Sequence, residues 1–218
     1  MKPIVVINPN STVAVTEAMS VSLDPLRVPD GPEIVCLTNE KGPPGIEWQA
    51  HVDDVSRDIR QIISEWKGKA SAFVIACYSD PGLFAARDAA DVPVFGIAQC
   101  SVLNALTLGS KVGIIAILQR SVERHYRYFR SIGLANHVIA DRPIDLRVVE
   151  LSDETKTFER LVEVGSVLRD QDGADVVVLG CAGMARYRAR LQEALGVPVV
   201  DPTQAAVIQA IGATRLAG

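Results

Sequence analysis

Two of the four cysteines in this chain of 218 residues stand in matching surroundings. Cys77 closes the largely apolar run Ala72-Phe73-Val74-Ile75-Ala76, and Asp80-Pro81 follows three residues on. Asp as N-cap and Pro at the first helical position predict a helix start there. Cys181 likewise closes the run Val176-Val177-Val178-Leu179-Gly180, and a helix-like pattern follows from Ala185 to Leu195. A thiol beside the positive end of a helix is expected to ionise below the free-cysteine value of roughly 8.5. Two such thiols facing one carbon acid could move a proton across it. A thiolate takes the proton next to a carbonyl, and a thiol on the opposite face returns one. That chemistry needs neither metal nor electron sink if the enolate oxygen meets N–H donors.

The elements that must hold the cysteines repeat as well. Each cysteine precedes a short strand with the same lead-in, Val92-Pro93-Val94-Phe95 and Val197-Pro198-Val199-Val200. Ile4-Val5-Val6-Ile7-Asn8 resembles Val112-Gly113-Ile114-Ile115-Ala116 at a similar offset, close to half the chain. Solenoid repeats are far shorter, roughly 20–50 residues, so the pattern is a duplicated lobe. The fold class is therefore α/β, with two pseudo-symmetric lobes. Asp201-Pro202 opens a last helix, Thr203 to Leu216, expected to return to the first lobe. The division predicted is residues 1–97 plus 202–218 for the first lobe and 98–201 for the second. Ligands of open α/β sheets bind beyond the carboxyl ends of the strands. Both cysteines sit at such ends, so both are expected to face one cleft between the lobes.

Other segments fill in around this frame. A strand from Pro3 to Ile7 ends in the polar turn Asn8-Pro9-Asn10-Ser11-Thr12, where Asn10 or Ser11 could cap a helix from Val13 to Leu23. N–H groups at that helix start suit an imide or ureido oxygen. Asn39 to Glu47, rich in Gly and Pro, reads equally as a lid and as a surface connection. Ser121 is expected to cap a helix reaching Ile132, within which Tyr126 to Arg130 reads as a packed amphipathic face. Ile144 to Val149 predicts a strand and Asp153 to Arg169 a long helix. Cys36 reads as a small buried hydrophobe, and Cys100 as a weaker candidate for reactivity.

Composition narrows the function classes. A net charge of −4 gives no reason to expect nucleic acid or an anionic membrane as partner. No apolar run approaches the roughly 20 residues of a membrane span. The polar turn at Asn8 comes too soon for a signal peptide, so the expected location is the cytoplasm. The cysteines form no CxxC, and His51, His125 and His137 do not complete the short-spaced ligand pairs that zinc takes, so no metal is expected.

Three separated segments, Asn8-Pro9-Asn10-Ser11-Thr12, Cys77-Tyr78-Ser79-Asp80-Pro81-Gly82-Leu83 and Leu179-Gly180-Cys181-Ala182-Gly183-Met184, resemble the motifs of hydantoin racemases, within the aspartate/glutamate racemase superfamily. The resemblance implies a mainly parallel four-stranded sheet flanked by helices in each lobe. It also implies cofactor-independent racemisation of a small molecule by Cys77 and Cys181, and a homo-oligomer. The substrate so implied is a cyclic ureide, a 5-substituted hydantoin or allantoin. Asn10, Ser79 and the backbone around Gly180, Ala182 and Gly183 are the candidates for orienting its carbonyl oxygens. Amino-acid racemases of the superfamily place Thr after each catalytic cysteine or one residue further, where this chain has Tyr78-Ser79 and Ala182-Gly183. An amino-acid racemase is the nearest rival reading. A binding or thiol-redox protein without catalysis on the same cleft is the rival of another class.

Overall fold

The computed structural model describes residues 1–216. The chain alternates strand and helix: β1 (Ile4–Asn8), α1 (Val13–Ser22), β2 (Ile34–Thr38), α2 (Gln49–Glu65), β3 (Ala72–Ile75), α3 (Leu83–Ala89) and β4 (Val94–Gly96). After α4 (Ile97–Ala105) come β5 (Val112–Ala116), α5 (Gln119–Ser131), β6 (Val138–Pro143), α6 (Glu154–Asp170), β7 (Val176–Leu179), α7 (Arg188–Leu195) and β8 (Val199–Val200). The last helix is α8 (Pro202–Leu216). Two four-stranded sheets result, ordered β2-β1-β3-β4 and β6-β5-β7-β8, with every pairing parallel. The two orders are the same order, which is the duplication expected from the sequence. Among the described residues no helix is long and apolar enough to cross a membrane.

Continuous Val/Ile runs form these strands because a parallel sheet covered on both faces buries successive side chains in opposite directions. In β1, Ile4 and Val6 pack with Met19 of α1 and Ala206, Val207 and Ala210 of α8. Val5 and Ile7 face the other way, onto Val55, Ile59 and Ile63 of α2. In the second sheet, Val112 and Ile114 meet Ala98, Val102 and Ala105 of α4 together with Phe129 of α5. Ile115 and Leu179 meet Leu161 and Leu168 of α6 and Leu191 of α7. Each fully buried Val, Ile, Leu, Met or Phe side chain among these stabilises the fold by about 1.5–3 kcal/mol before chain entropy is counted, and each Ala by less. Helix α8 thus packs on the first sheet although it follows the second in sequence.

One predicted strand lies elsewhere. The second edge strand is Val138–Pro143, not Ile144 to Val149. Ile144 and Leu146 nevertheless bury their side chains and donate backbone N–H groups to Ala116 and Ile117 carbonyls. That alternation imitates a strand, but Asp145 takes a left-handed φ of 55° and Val148–Ser152 winds into a 3-10 turn.

Gly96 shows how closely Asp80 packs on β4. A Cβ there would stand 2.2 Å from the carboxyl carbon of Asp80, which reaches over β4 to the start of α4. Gly96→Ala should therefore destabilise the protein by about 1–3 kcal/mol through overpacking. Gly212→Ala on α8, where a Cβ would meet nothing within 4 Å, should be neutral or stabilising by up to about 1 kcal/mol. Urea unfolding of the two variants measures both effects, and equal midpoints would contradict the packing argument.

Candidate active site

Cys77 stands two residues beyond the end of β3 and Cys181 two residues beyond the end of β7. These strands hold the same position in their sheets, so the sulfurs arrive from opposite lobes and line one cavity. In each turn the N–H two residues on, that of Ser79 or Gly183, bonds the sulfur. The cavity between them is narrow, about 30 Å³, and opens partly to solvent. All four cysteines are free thiols.

The local structure behind the cysteines differs from the sequence expectation. Asp80-Pro81 does not begin α3; that helix starts at Leu83 after Gly82, which takes a left-handed φ of 65°. Asp80 adopts φ 42° and turns its carboxylate to the backbone N–H groups of Ala98 and Gln99, both at 2.9 Å, at the start of α4. Tyr128 of α5 donates its hydroxyl to the same carboxylate at 2.8 Å. Burial pushes the Asp80 carboxyl up to about 6 against these three donors. Behind Cys181 a 3-10 turn, Ala182–Tyr187, precedes α7. With no α-helix starting directly at either sulfur, desolvation dominates and pushes Cys77 up to about 12 and Cys181 to about 11. The lowered thiol pKa expected from the sequence is not found.

Charge around the two sulfurs is unlike. The Arg124 guanidinium opposes the upward shift of Cys77 while Asp80 adds to it, whereas Asp201 and Glu47 add to that of Cys181 with no cation opposing them. Arg124 and His125 line the cleft beside the cysteines and were not among the sequence candidates. Both belong to the inward stripe of α5, formed by Ser121, Arg124, His125 and Phe129. Polar residues at i, i+3 and i+4 on a stripe that should be apolar are the signal that could have found them. Ser121 is not the N-cap expected; Leu118 holds that position, and the Ser121 hydroxyl accepts from Arg124 at 3.3 Å. His125 pairs through Nδ1 with Asp141 at 2.8 Å and meets the Tyr78 ring edge-to-face at 4.9 Å.

The segment Asn39 to Glu47 is neither free lid nor plain surface connection. Ile46 lines the cleft, and the buried Glu47 carboxylate receives Arg147 Nε at 3.2 Å and the Val148 N–H at 3.3 Å from the second lobe. Arg120 stacks over Trp48 at 3.5 Å beside it.

The remaining sequence candidates all line the cleft: Asn10, Ser79, Gly180, Ala182 and Gly183. Asn10 Oδ1 is engaged by the Thr12 N–H at 2.9 Å and by Asn8 at 3.1 Å, which leaves its Nδ2 donors without a partner among the described residues. Ser79 Oγ accepts from Arg124 Nε at 2.8 Å. The Gly180 N–H already bonds the Ile115 carbonyl at 2.8 Å, so it has no donor to offer a ligand. The Gly183 N–H serves Cys181. Tyr78 and Ala182, the residues directly after the cysteines, have N–H groups with no acceptor among the described residues.

Duplicated parallel lobes with a cysteine at the same strand end of each define a class, and comparison agrees. Residues 4–210 match the family described as Asp/Glu/Hydantoin racemase, and the chain belongs to it. It is an isomerase. A hydantoin racemase from Rhizobium meliloti is 38% identical over 208 residues, covering 92% of this chain and 84% of the relative. The allantoin racemase from Klebsiella pneumoniae superposes with TM-score 0.91 at 30% identity, covering 100% of this chain and 89% of that one. The allantoin racemase structure from Pseudomonas fluorescens gives TM-score 0.94 at 27% identity, with 99% and 92% covered.

The raised thiol pKa values carry a direct consequence. At pH 7 both thiols of the ligand-free protein are protonated, and the thiolate fraction grows with pH toward about 11 to 12. Iodoacetamide should label Cys77 and Cys181 more slowly than a free cysteine peptide at pH 7, the rate climbing about tenfold per pH unit through pH 10. A labelling rate that has levelled off by pH 8, followed by mass spectrometry of the peptides, would refute the desolvated state.

Proposed function

We propose that the chain is a cofactor-independent racemase of a cyclic ureide, a 5-substituted hydantoin or allantoin, with Cys77 and Cys181 as its acid–base pair. The observation that carries this reading is the arrival of two sulfurs at one cavity from equivalent strand ends of the two lobes. The relatives named above act on such ureides by their descriptions, which favours the same substrate class here.

The thiolate of one cysteine takes the C5 proton, the C–H electron pair moves into the adjoining carbonyl, and the opposite thiol delivers a proton to the other face. Exchanging the two roles converts the other enantiomer. A carbon acid flanked by a carbonyl and a ring nitrogen needs only positioned donors to hold the enolate oxygen. Asn10 Nδ2 and the N–H groups of Tyr78 and Ala182 are suited to that task, since the protein does not otherwise use them. Amino-acid racemases of the superfamily hold the carboxylate and ammonium with Thr hydroxyls at the positions of Tyr78-Ser79 and Ala182-Gly183; only Ser79 could stand in for them here, and its hydroxyl is engaged by Arg124.

Proton NMR in D2O tests the reading. Single enantiomers of a slowly racemising 5-alkylhydantoin, of allantoin and of glutamate are incubated with wild type and with Cys77→Ser and Cys181→Ser. The ureide C5–H signal should vanish together with optical rotation, and racemisation should fall by about 100-fold or more in either variant, the scale of general acid–base catalysis. Exchange confined to glutamate would transfer the assignment to the amino-acid racemases. Absence of exchange in all three would remove the ureide assignment.

A further inference from the structure

Arg124 sits nearly buried, 6% exposed, on the inward stripe of α5. Its Nε donates to Ser79 Oγ at 2.8 Å, one terminal nitrogen to the Glu47 carbonyl at 3.1 Å, and the other to Ser121 Oγ at 3.3 Å. All three acceptors are neutral. None of the ion pairs among the described residues includes Arg124. A guanidinium brings five N–H donors, so two remain uncommitted here. Burying a cation without a countercharge is costly. Tying a hydroxyl from each lobe to a carbonyl could be done by a neutral amide, so the three bonds alone do not call for a charge.

The Asp141 carboxylate also attracts Arg124, but less than an ionised Cys77 does, and it is already paired with His125 Nδ1 at 2.8 Å; the larger attraction lies in the cleft. Arg124 and Cys77 line the same cavity and attract one another in the ionised state. On the racemase reading above, the cleft holds one negative charge at every step. Cys77 Sγ⁻ takes the C5 proton as the C–H bond breaks, leaving Cys77 S–H and a ring enolate. The Cys181 S–H bond then breaks toward the opposite face of C5, and the charge ends on Cys181 Sγ⁻. We propose that Arg124 is a positioning residue that supplies the countercharge on the Cys77 side of the cleft, balancing the thiolate before proton transfer and the ring enolate after it. Asp80 opposes ionisation of Cys77 much as Asp201 and Glu47 oppose that of Cys181, and the difference is the cation, which acts on Cys77 and has no counterpart among the groups acting on Cys181. The pair is symmetric in backbone and unsymmetric in charge.

This inference rests on the proposed racemase activity, and its test separates the two. Arg124→Met removes the charge, Arg124→Gln keeps polar contacts without it, and Arg124→Lys keeps the charge without the fork. Iodoacetamide labelling of Cys77 and Cys181, resolved by peptide mass spectrometry across pH, needs no substrate. At fixed pH, Cys77 labelling should slow by about tenfold or more in the Met and Gln variants and stay within about threefold in Lys, with Cys181 within about threefold throughout. The kcat/KM for C5–H exchange should fall by about 100-fold or more in Met and Gln, with its rising pH limb displaced upward, and recover in part in Lys. Unchanged Cys77 labelling in folded Met and Gln variants overturns the proposal. So does a Lys variant as impaired as Met, or a fold that survives only with a cation at 124, which would make the charge structural. If wild type exchanges no ureide while the labelling shift appears, the activity reading fails and the Arg124–Cys77 pairing stands.

Discussion

Two half-buried ionisable sulfurs face each other at the meeting of the lobes, and much of the structure answers the constraint set by their partial desolvation. A buried thiol resists ionising, so groups that stabilise the anion must be built in beforehand. The backbone supplies the first of them identically on both sides, as the N–H two residues beyond each cysteine. This works only if the two strand ends present the same turn to one cleft, which the shared 2-1-3-4 order of the sheets ensures. Side chains then depart from the symmetry: carboxylates act on both sulfurs, but a guanidinium acts on Cys77 alone. Duplication accounts for the likeness, and α5 for much of the difference.

The contacts that close the cleft are polar and cross between lobes. Asp80 holds the start of α4 and the Tyr128 hydroxyl, Glu47 holds Arg147 and the Val148 N–H, and Arg120 covers Trp48. Directional bonds of this kind fix the spacing of two half-sites more closely than apolar contact would. Polar ties of this kind can also be exchanged for water in a way that a packed aliphatic core cannot.

What could be read from the sequence follows the range of the forces involved. Buried strands declare themselves in runs such as Ile4-Val5-Val6-Ile7 because both faces of a parallel sheet are covered. Cys77 and Cys181 stood out because a duplication shows equivalent positions within one chain. The function of Asp80 was not legible: its sequence neighbours suggest the cap of the next helix, yet its carboxylate finds α4, 18 and 19 residues away. Thiol acidity is illegible for the same reason, since desolvation is set by distant parts of the chain and not by the next three residues. Arg124 and His125 are masked by the aromatic cluster that begins at Tyr126, whereas the informative pattern is the polar stripe from Ser121. The Ile144 to Val149 alternation was real burial, and only the left-handed Asp145 turned it from strand to turn.

The return of α8 to the first sheet bears on how the chain is made. Ala206, Val207 and Ala210 cover Ile4 and Val6, which lie about as far from them in sequence as the chain allows. On a ribosome the first lobe would emerge with one face of its central strand covered only in part, by Met19 of α1, and without the α8 side chains that complete it. Contacts of such long sequence separation form late and slow folding. Until the final helix is synthesised, the N-terminal half carries an exposed apolar surface that a chaperone or a neighbouring nascent chain can engage. The segment that closes the fold is also the one that decides how long the first half remains vulnerable to aggregation.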